Sequence, residues 1–241
     1  MKNLLIATFL LLAATPAHAM HISEGILPLG WSGLWYALAL PFVIIGCREL
    51  RRLSSTDLSA KPLVGLLAAV VFIISCMPIP VPTAGTCSHP CGVAISAIIA
   101  GPFVSVVISS VALLIQALVM AHGGLTTLGA DIVSMGVVGS FTGYGLYTAL
   151  RKAGAPLGYA AFFAGVGADW ATYSATSFIL AAGIHGDAQF LPLFVKIMVA
   201  FIPTQLPLGI LEGAITAGMV TLLARKRPDI LERFDKGGKH A

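Results

Sequence analysis

Charge is what this chain of 241 residues most lacks: Asp, Glu, Lys and Arg make up 10% of it, while 57% of positions are hydrophobic and the mean hydropathy is +0.93. A soluble domain carries about a quarter charged residues. At well under half that share, the chain has too little polar surface to clothe a water-soluble globule. Soluble enzymes, nucleic-acid binders and disordered regions are thereby excluded, and an all-α integral membrane protein is expected. Cysteine is scarce as well: the four residues Cys47, Cys76, Cys87 and Cys91 are too few and too scattered for a disulfide scaffold. Missing too are heptads, low-complexity tracts and repeats. No G-x-x-x-x-G-K-[ST] occurs, so the chain has no P-loop for ATP hydrolysis; no H-E-x-x-H or G-x-S-x-G supports hydrolase chemistry.

What is present begins with an address. Lys2 gives a positive start, Leu4 to Ala14 is apolar, and Ala17-His18-Ala19 fits a small-x-small cleavage site. Such an apolar run is too short to span a bilayer and reads as a secretory signal peptide. Cleavage after Ala19 leaves a mature chain starting Met20-His21-Ile22-Ser23-Glu24-Gly25, with its free amine outside the cytoplasm.

Charge placement sets the topology. Apolar segments run roughly over 33–47, 62–77, 93–121, 126–150, 156–183 and 191–224. Arg48, Arg51, Arg52 and Lys61 fill the first connection, Arg151 and Lys152 another, and the tail is basic from Arg225 onward. The stretches 20–32, 78–92, 122–125 and 184–190 contain neither Lys nor Arg. Placing the basic group inside and the others outside satisfies the positive-inside rule. The 93–121 stretch must then enter and leave on one face, and Gly101-Pro102 supplies the break, because proline ends a helix. A short inward helix to about Gly101 and an outward one from about Phe103 are expected. The total is about seven transmembrane helices, with the mature N-terminus outside and the C-terminus cytoplasmic. Gly30, Gly33 and Ala37 are small residues where another helix can approach the first span closely.

Several polar groups stand out against this apolar background. A free Met20 amine followed by His21 offers the amine, the His21 amide nitrogen and the imidazole as one chelate, and imidazole is a preferred ligand of cobalt, nickel, copper and zinc. The loop from Pro78 to Gly92, rich in Pro and Gly, carries His89, a fourth nitrogen on the same face. Four nitrogens in a plane suit nickel(II), and suit cobalt(II) where the protein enforces the geometry. Cys87 and Cys91 flank His89, so a Cys87-His89-Cys91 zinc or copper site is a rival reading, although thiolates hold a metal too tightly for a carrier. His122 lies at the external end of a span, as ligand or as structural histidine; His185 reads as solvated. Asp131, Asp169, Lys196, Gln116, Gln205 and Glu212 fall inside spans, where ionisable groups are costly and functional by default. Asp169 and Glu212 are the deepest. They orient histidines, pair with Lys196, contact a partner subunit or serve as interhelical polar glue.

Met-His-Ile-x-Glu-Gly at the mature start, Gly-Thr-x-Ser-His at 85–89, and the run from Gln116 to Met135 with Ala121-His122-Gly123-Gly124-Leu125-Thr126-Thr127-Leu128-Gly129 and Ser134-Met135-Gly136 together resemble the CbiM/NikM family. These are substrate-specific membrane subunits of energy-coupling-factor transporters for cobalt and nickel. The likeness spans residues 20–225, departing at Pro90-Cys91, where a Leu-rich continuation is usual. Family members mostly begin at Met-His directly, so the leader here makes cleavage a requirement. The resemblance implies a metal held by the Met20 amine, the His21 amide and imidazole nitrogens and His89, with the N-terminal segment folded back into the bundle and Ser88 and Gln116 close by. With the leader read from residues 1–19, the chain divides into that leader, a transmembrane metal-binding transport domain over 20–225 and a basic cytoplasmic tail over 226–241.

The same resemblance implies a multi-pass protein of the bacterial inner membrane that captures the ion outside and supports cobalamin biosynthesis. No prosthetic group is expected; cobalt, or nickel, is cargo. The implied partners are a coupling transmembrane subunit, two ATP-binding-cassette ATPase subunits, a small accessory membrane subunit and lipid, with no nucleic acid. ATP hydrolysis by those partners fits the missing P-loop, so the chain itself is not an enzyme. Glu24 resembles the cobalt branch, whereas a planar nitrogen set by itself favours nickel. A membrane metal sensor or chaperone, and an ion-coupled secondary carrier using Asp169 and Glu212, are the alternatives.

Overall fold

Gly101 and Pro102 divide the centre of the molecule. The computed structural model describes residues 21–76, 79–81 and 86–231. The leader over 1–19, the Met20 amine, the side chain of Cys87 and the tail beyond 231 lie outside the described residues.

The chain runs α1 (Leu29–Thr56), α2 (Ala60–Ser75), two short antiparallel strands β1 (Ile79–Val81) and β2 (Thr86–Ser88), α3 (Val93–Ala100) and α4 (Pro102–Val119). It continues through α5 (Leu128–Asp131), a π-helical stretch over Ile132–Gly139, α6 (Ser140–Lys152), α7 (Leu157–Ile184) and α8 (Phe190–Lys226). Helices Leu29–Ser55, Pro102–Val119 and Phe190–Lys226 are long and apolar enough to cross a membrane, and Ala60–Ser75 is a shorter apolar helix. Leucines, isoleucines and valines stay exposed along α1, α2, α4 and α8, as lipid-facing residues should.

The predicted break falls where expected. Gly101 takes φ +85°, a conformation that favours glycine, and Pro102 opens α4, where its missing N–H costs nothing. The short α3 is buried along almost its whole length, from Val93 to Ala100, at the centre of the bundle. Irregular backbone leading into such a helix is tolerated at membrane depth only when protein surrounds it. Ser96 on α3, Ser105 on α4 and Ser140 on α6 tie the centre together, with Oγ···Oγ distances of 2.7 and 2.8 Å.

One sequence expectation is corrected. Arg48, Arg51 and Arg52 are not in a connecting loop: α1 continues through them to Thr56, with all three exposed on its last turns. Gly30 and Gly33 face open space and Ala37 is exposed, and no helix of this chain approaches the two glycines. The close approaches fall elsewhere on α1. A Cβ on Gly46 would run into the Phe103 carbonyl of α4, and one on Gly129 of α5 would stand 2.7 Å from the Tyr36 Cα. The α7/α8 pair closes in the same way, with a Gly165 Cβ 2.8 Å from the Gly213 Cα. Basic residues finish α6 (Arg151, Lys152) and α8 (Arg225, Lys226), where positive charge complements the helix dipole.

Candidate metal centre

The segment after Met20 is folded against the run from His122 to Asp131, and glycine is what lets it in. Past the end of α4 the chain turns through Ala121 (φ +49°) and Gly123 (φ +85°). A Cβ on Gly123 would stand 2.7 Å from the His21 Cβ, and one on Gly124 would stand 2.7 Å from the Glu24 Cα. The Gly-Gly pair is thus a slot for residues 21–24. Asp131 accepts the Ile22 N–H at 2.9 Å, Thr127 Oγ1 donates to the Ile22 carbonyl, and Glu24 accepts the Thr126 N–H at 3.1 Å. Thr126, through its side chain first and its N–H second, holds the Glu24 carboxyl below its ordinary range.

This docking carries His21 into the bundle, 1% exposed. Its Nε2 lies 2.7 Å from Gln116 Oε1, while Gln116 Nε2 donates to Ser75 Oγ at 2.6 Å. With the amide oxygen facing the ring, His21 Nε2 is the donor and Nδ1 keeps the lone pair, the nitrogen that closes a chelate with its own amide.

His89 arrives from the opposite side. Its backbone is clamped by Tyr173 of α7: the His89 N–H donates to the hydroxyl at 2.9 Å and the hydroxyl donates to the His89 carbonyl at 3.0 Å. His89 Nδ1 donates to the Pro90 carbonyl at 2.9 Å. Its Nε2 therefore carries a lone pair, and that atom is buried without a partner. A ring held by one nitrogen to a backbone carbonyl, with the other free, is the usual disposition of a metal-ligating histidine.

His122 completes a trio. Ring centroids are 4.9 Å apart for His21–His89, 4.8 Å for His21–His122 and 5.3 Å for His89–His122. One ligating nitrogen from each lies within 4.8 Å of the others. Burial, then the neighbouring His89 and His122 rings, keep the His21 pKa well below its ordinary value. Burial, then His122, lowers that of His89 to about 3, and burial lowers that of His122. All three rings are neutral nitrogen donors at pH 7. In a dry site, neutral imidazoles with unused lone pairs can bind a late transition ion.

The remaining candidates divide. Gln116 touches the trio directly. Ser88 turns away from it, its Oγ 2.7 Å from Thr204 Oγ1. His185 closes the end of α7, its Nδ1 3.1 and 3.0 Å from the Ala181 and Ala182 carbonyls. Asp169 and Glu212 do not bond to the histidines. Their oxygens and Cys91 Sγ lie within 4.8 Å of one another, a group apart from the trio. Lys196 is exposed and forms no ion pair among the described residues, so it is not the partner of either carboxylate. Cys91 Sγ stands 3.8 Å from Asp169 Oδ1, as part of that second group. Sequence reasoning missed the Tyr173 clamp and the support from Ser75. The signal for Tyr173 was its place one helical turn beyond Asp169 on a single face.

Comparison with known proteins bears on the family of the chain. The family model for CbiM, the cobalt uptake substrate-specific transmembrane region, matches residues 21–230. The chain is 66% identical over 234 residues to a protein of Geobacter sulfurreducens named cobalt transport protein CbiM, covering 96% of this chain and 68% of that one. It is 57% identical over 215 residues to a protein of the same name from Sorangium cellulosum, covering 89% and 96%. Its fold is similar to the crystal structure of a truncated transition metal transporter, with a TM-score of 0.76 and 25% identity over 86% of this chain and 99% of that one.

Proposed function

Because the chain belongs to the CbiM family of cobalt uptake substrate-specific transmembrane regions, we propose that it captures cobalt(II) through the Met20 amine, the His21 amide and Nδ1, and His89 Nε2. The protein is the substrate-specific membrane component of cobalt uptake. The observation that carries the ligand assignment is the pair of tautomers: the bond to Gln116 leaves Nδ1 of His21 free, and the bond to Pro90 leaves Nε2 of His89 free. Those are the two nitrogens the chelate requires.

The chain's own residues perform the capture. Gly123 and Gly124 seat the N-terminal segment, Asp131 and Thr127 fix its path, and Tyr173 fixes the backbone of His89. An ion entering from outside exchanges water for nitrogen donors held ready in a dry pocket, which lowers the ordering cost of binding. The third imidazole supports cobalt over nickel, since a donor beyond the four-nitrogen set removes the advantage of a strictly planar site. The ion's onward movement would be driven by partners: a coupling transmembrane subunit and two ATPase subunits, with a small accessory membrane subunit.

The test is metal content of the purified, leader-processed protein, with cobalt and nickel measured side by side. His21→Ala and His89→Ala should each lower cobalt affinity by at least about ten- to a hundredfold, roughly 1.4 kcal/mol per tenfold, and His185→Ala should leave it nearly unchanged. Cellular uptake should require co-expressed ATPase subunits. Uptake that ignores them would favour a secondary carrier, and binding without any uptake would favour a sensor.

A further inference from the structure

Two residues along the chain from His89, a second set of donors converges that the capture site does not use. Cys91 and Asp169 are wholly buried and Glu212 is 1% exposed, with Sγ and one oxygen from each carboxylate all within 4.8 Å of one another. Asp169 stands near the middle of α7 and Glu212 near the middle of α8. We propose that Cys91, Asp169 and Glu212 form a second divalent-cation site, which receives the ion from the imidazole trio on its way inward. This rests on reading the chain as a conductor of the ion.

The arrangement is hard to explain as polar glue alone. Asp169 Oδ2 is buried and receives no N–H or hydroxyl donor among the described residues, and the group its carboxyl meets is the Glu212 carboxyl. Two carboxyls set against each other in a dry interior make poor interhelical glue, because neither brings an N–H donor. No Lys, Arg or His forms an ion pair with either carboxylate among the described residues. Glu212 is already held in place, since its two oxygens accept the Cys91 N–H at 2.5 Å and the Gly92 N–H at 2.9 Å, just ahead of α3. Each oxygen keeps a lone pair beyond that bond. One carboxylate is thus anchored and the other faces it, with a single thiol beside them; one thiolate among hard oxygen donors grips a divalent ion less tightly than the two of a Cys87-His89-Cys91 set would.

The donor chemistry complements the capture site. Neutral imidazoles suit an ion arriving from water that still has the amide nitrogen of the N-terminus. Once that chelate is left behind, a divalent ion inside the membrane needs negative charge nearby, and two carboxylates supply it. Ligation through Cys91 would release its thiol proton. Proximity is built in. Tyr173, which clamps His89, lies one helical turn from Asp169, and the backbone of Cys91 is bonded to Glu212.

The test is a cobalt(II) titration of the purified full-length protein, following bound metal and the near-ultraviolet thiolate-to-cobalt charge-transfer band. Wild type, Cys91→Ser, Asp169→Asn and a Cys47→Ser/Cys76→Ser/Cys87→Ser triple variant are compared. Wild type should bind two equivalents, with the band growing during the second. The triple variant, with Cys91 alone, should keep both. Cys91→Ser and Asp169→Asn should lose the band and weaken the second equivalent at least tenfold, with the first unchanged. If Asp169→Asn fails to fold, Cys91→Ser decides. A triple variant that binds a single equivalent without the band, or a band that survives Cys91→Ser, overturns the proposal and leaves two carboxyls bracing the loop. Loss of the first equivalent alone would instead count against the capture site, because the band reports the second site independently.

Discussion

His21 Nε2 donates to Gln116 Oε1 at 2.7 Å, and this one bond decides which face of the ring remains available. The amide of Gln116 is itself fixed by Ser75, whose hydroxyl donates to the Val71 carbonyl at 2.7 Å. A chain of oriented dipoles thus runs from the backbone of α2 to the imidazole.

Replacing Gln116 with Leu keeps the bulk and removes the acceptor. The His21 ring is then free to change tautomer and rotate, so cobalt affinity should fall about ten- to a hundredfold. Calorimetric titration with cobalt(II) reads this directly, and an unchanged affinity would mean that the bond does not orient the ring.

The Gly-Gly slot makes a sharper contrast. Gly124→Ala brings a methyl group to 2.7 Å from the Glu24 Cα and 2.8 Å from its nitrogen, both backbone atoms that cannot swing aside. The N-terminal segment should leave its seat, with cobalt affinity down more than tenfold and residues 21–27 exchanging amide hydrogen rapidly. Gly30→Ala, which meets nothing within 4 Å and sits in a helix, should bind cobalt as wild type does.

Topology is tested by single cysteines at Leu58 and Asp187 in a background without the native ones. Leu58 follows the basic end of α1 and is exposed, and Asp187 follows α7. A membrane-impermeant thiol reagent should reach Asp187→Cys from outside and Leu58→Cys only after the membrane is opened. Labelling of both from one side would reject the seven-helix arrangement.

Acid should loosen the metal-free protein. Native His89 titrates at about 3, whereas a histidine in the unfolded chain titrates near 6.5. Between those values the unfolded chain binds a proton that the native chain refuses, so native stability falls as pH drops below 6.5 and is level in this respect above it. One such proton bends stability by about 1.4 kcal/mol per pH unit, and His21 acts in the same direction. Melting temperatures in detergent from pH 7.5 to 4.5 should decline in wild type and decline less in His89→Gln. Equal slopes would show that His89 is not shielded.

Legibility in the sequence followed the range of the physics involved. The Gly101-Pro102 break was readable because it is local, set by a backbone that cannot continue the helix. His21 and His89 were readable because a chelate and a proline-rich loop leave local signatures. The partners of Glu212 were not, since they lie 121 and 120 residues away on the other side of the bundle. Nor was the choice of Gly46 over Gly30 and Gly33 as the close approach on α1. That depends on how the helix is rotated about its axis, which hydropathy does not fix for a span facing lipid on most sides. Arg48 to Arg52 misled for a related reason: charge marks the edge of the membrane and not the end of the helix.

The two histidines of the capture site are moored to different parts of the bundle. His21 is tied through Gln116 to α4 and, through the neighbouring Ile22, to Asp131 of α5; His89 is tied to Tyr173 of α7, and the loop just beyond it to Glu212 of α8. In the proposed capture site, a coordination sphere built across such a seam would work as a clasp. Torque applied to the α7/α8 hairpin would then draw one half of the clasp from the other, and mechanical work done there would reach the ion as lost ligands without any residue near the metal having to sense its source.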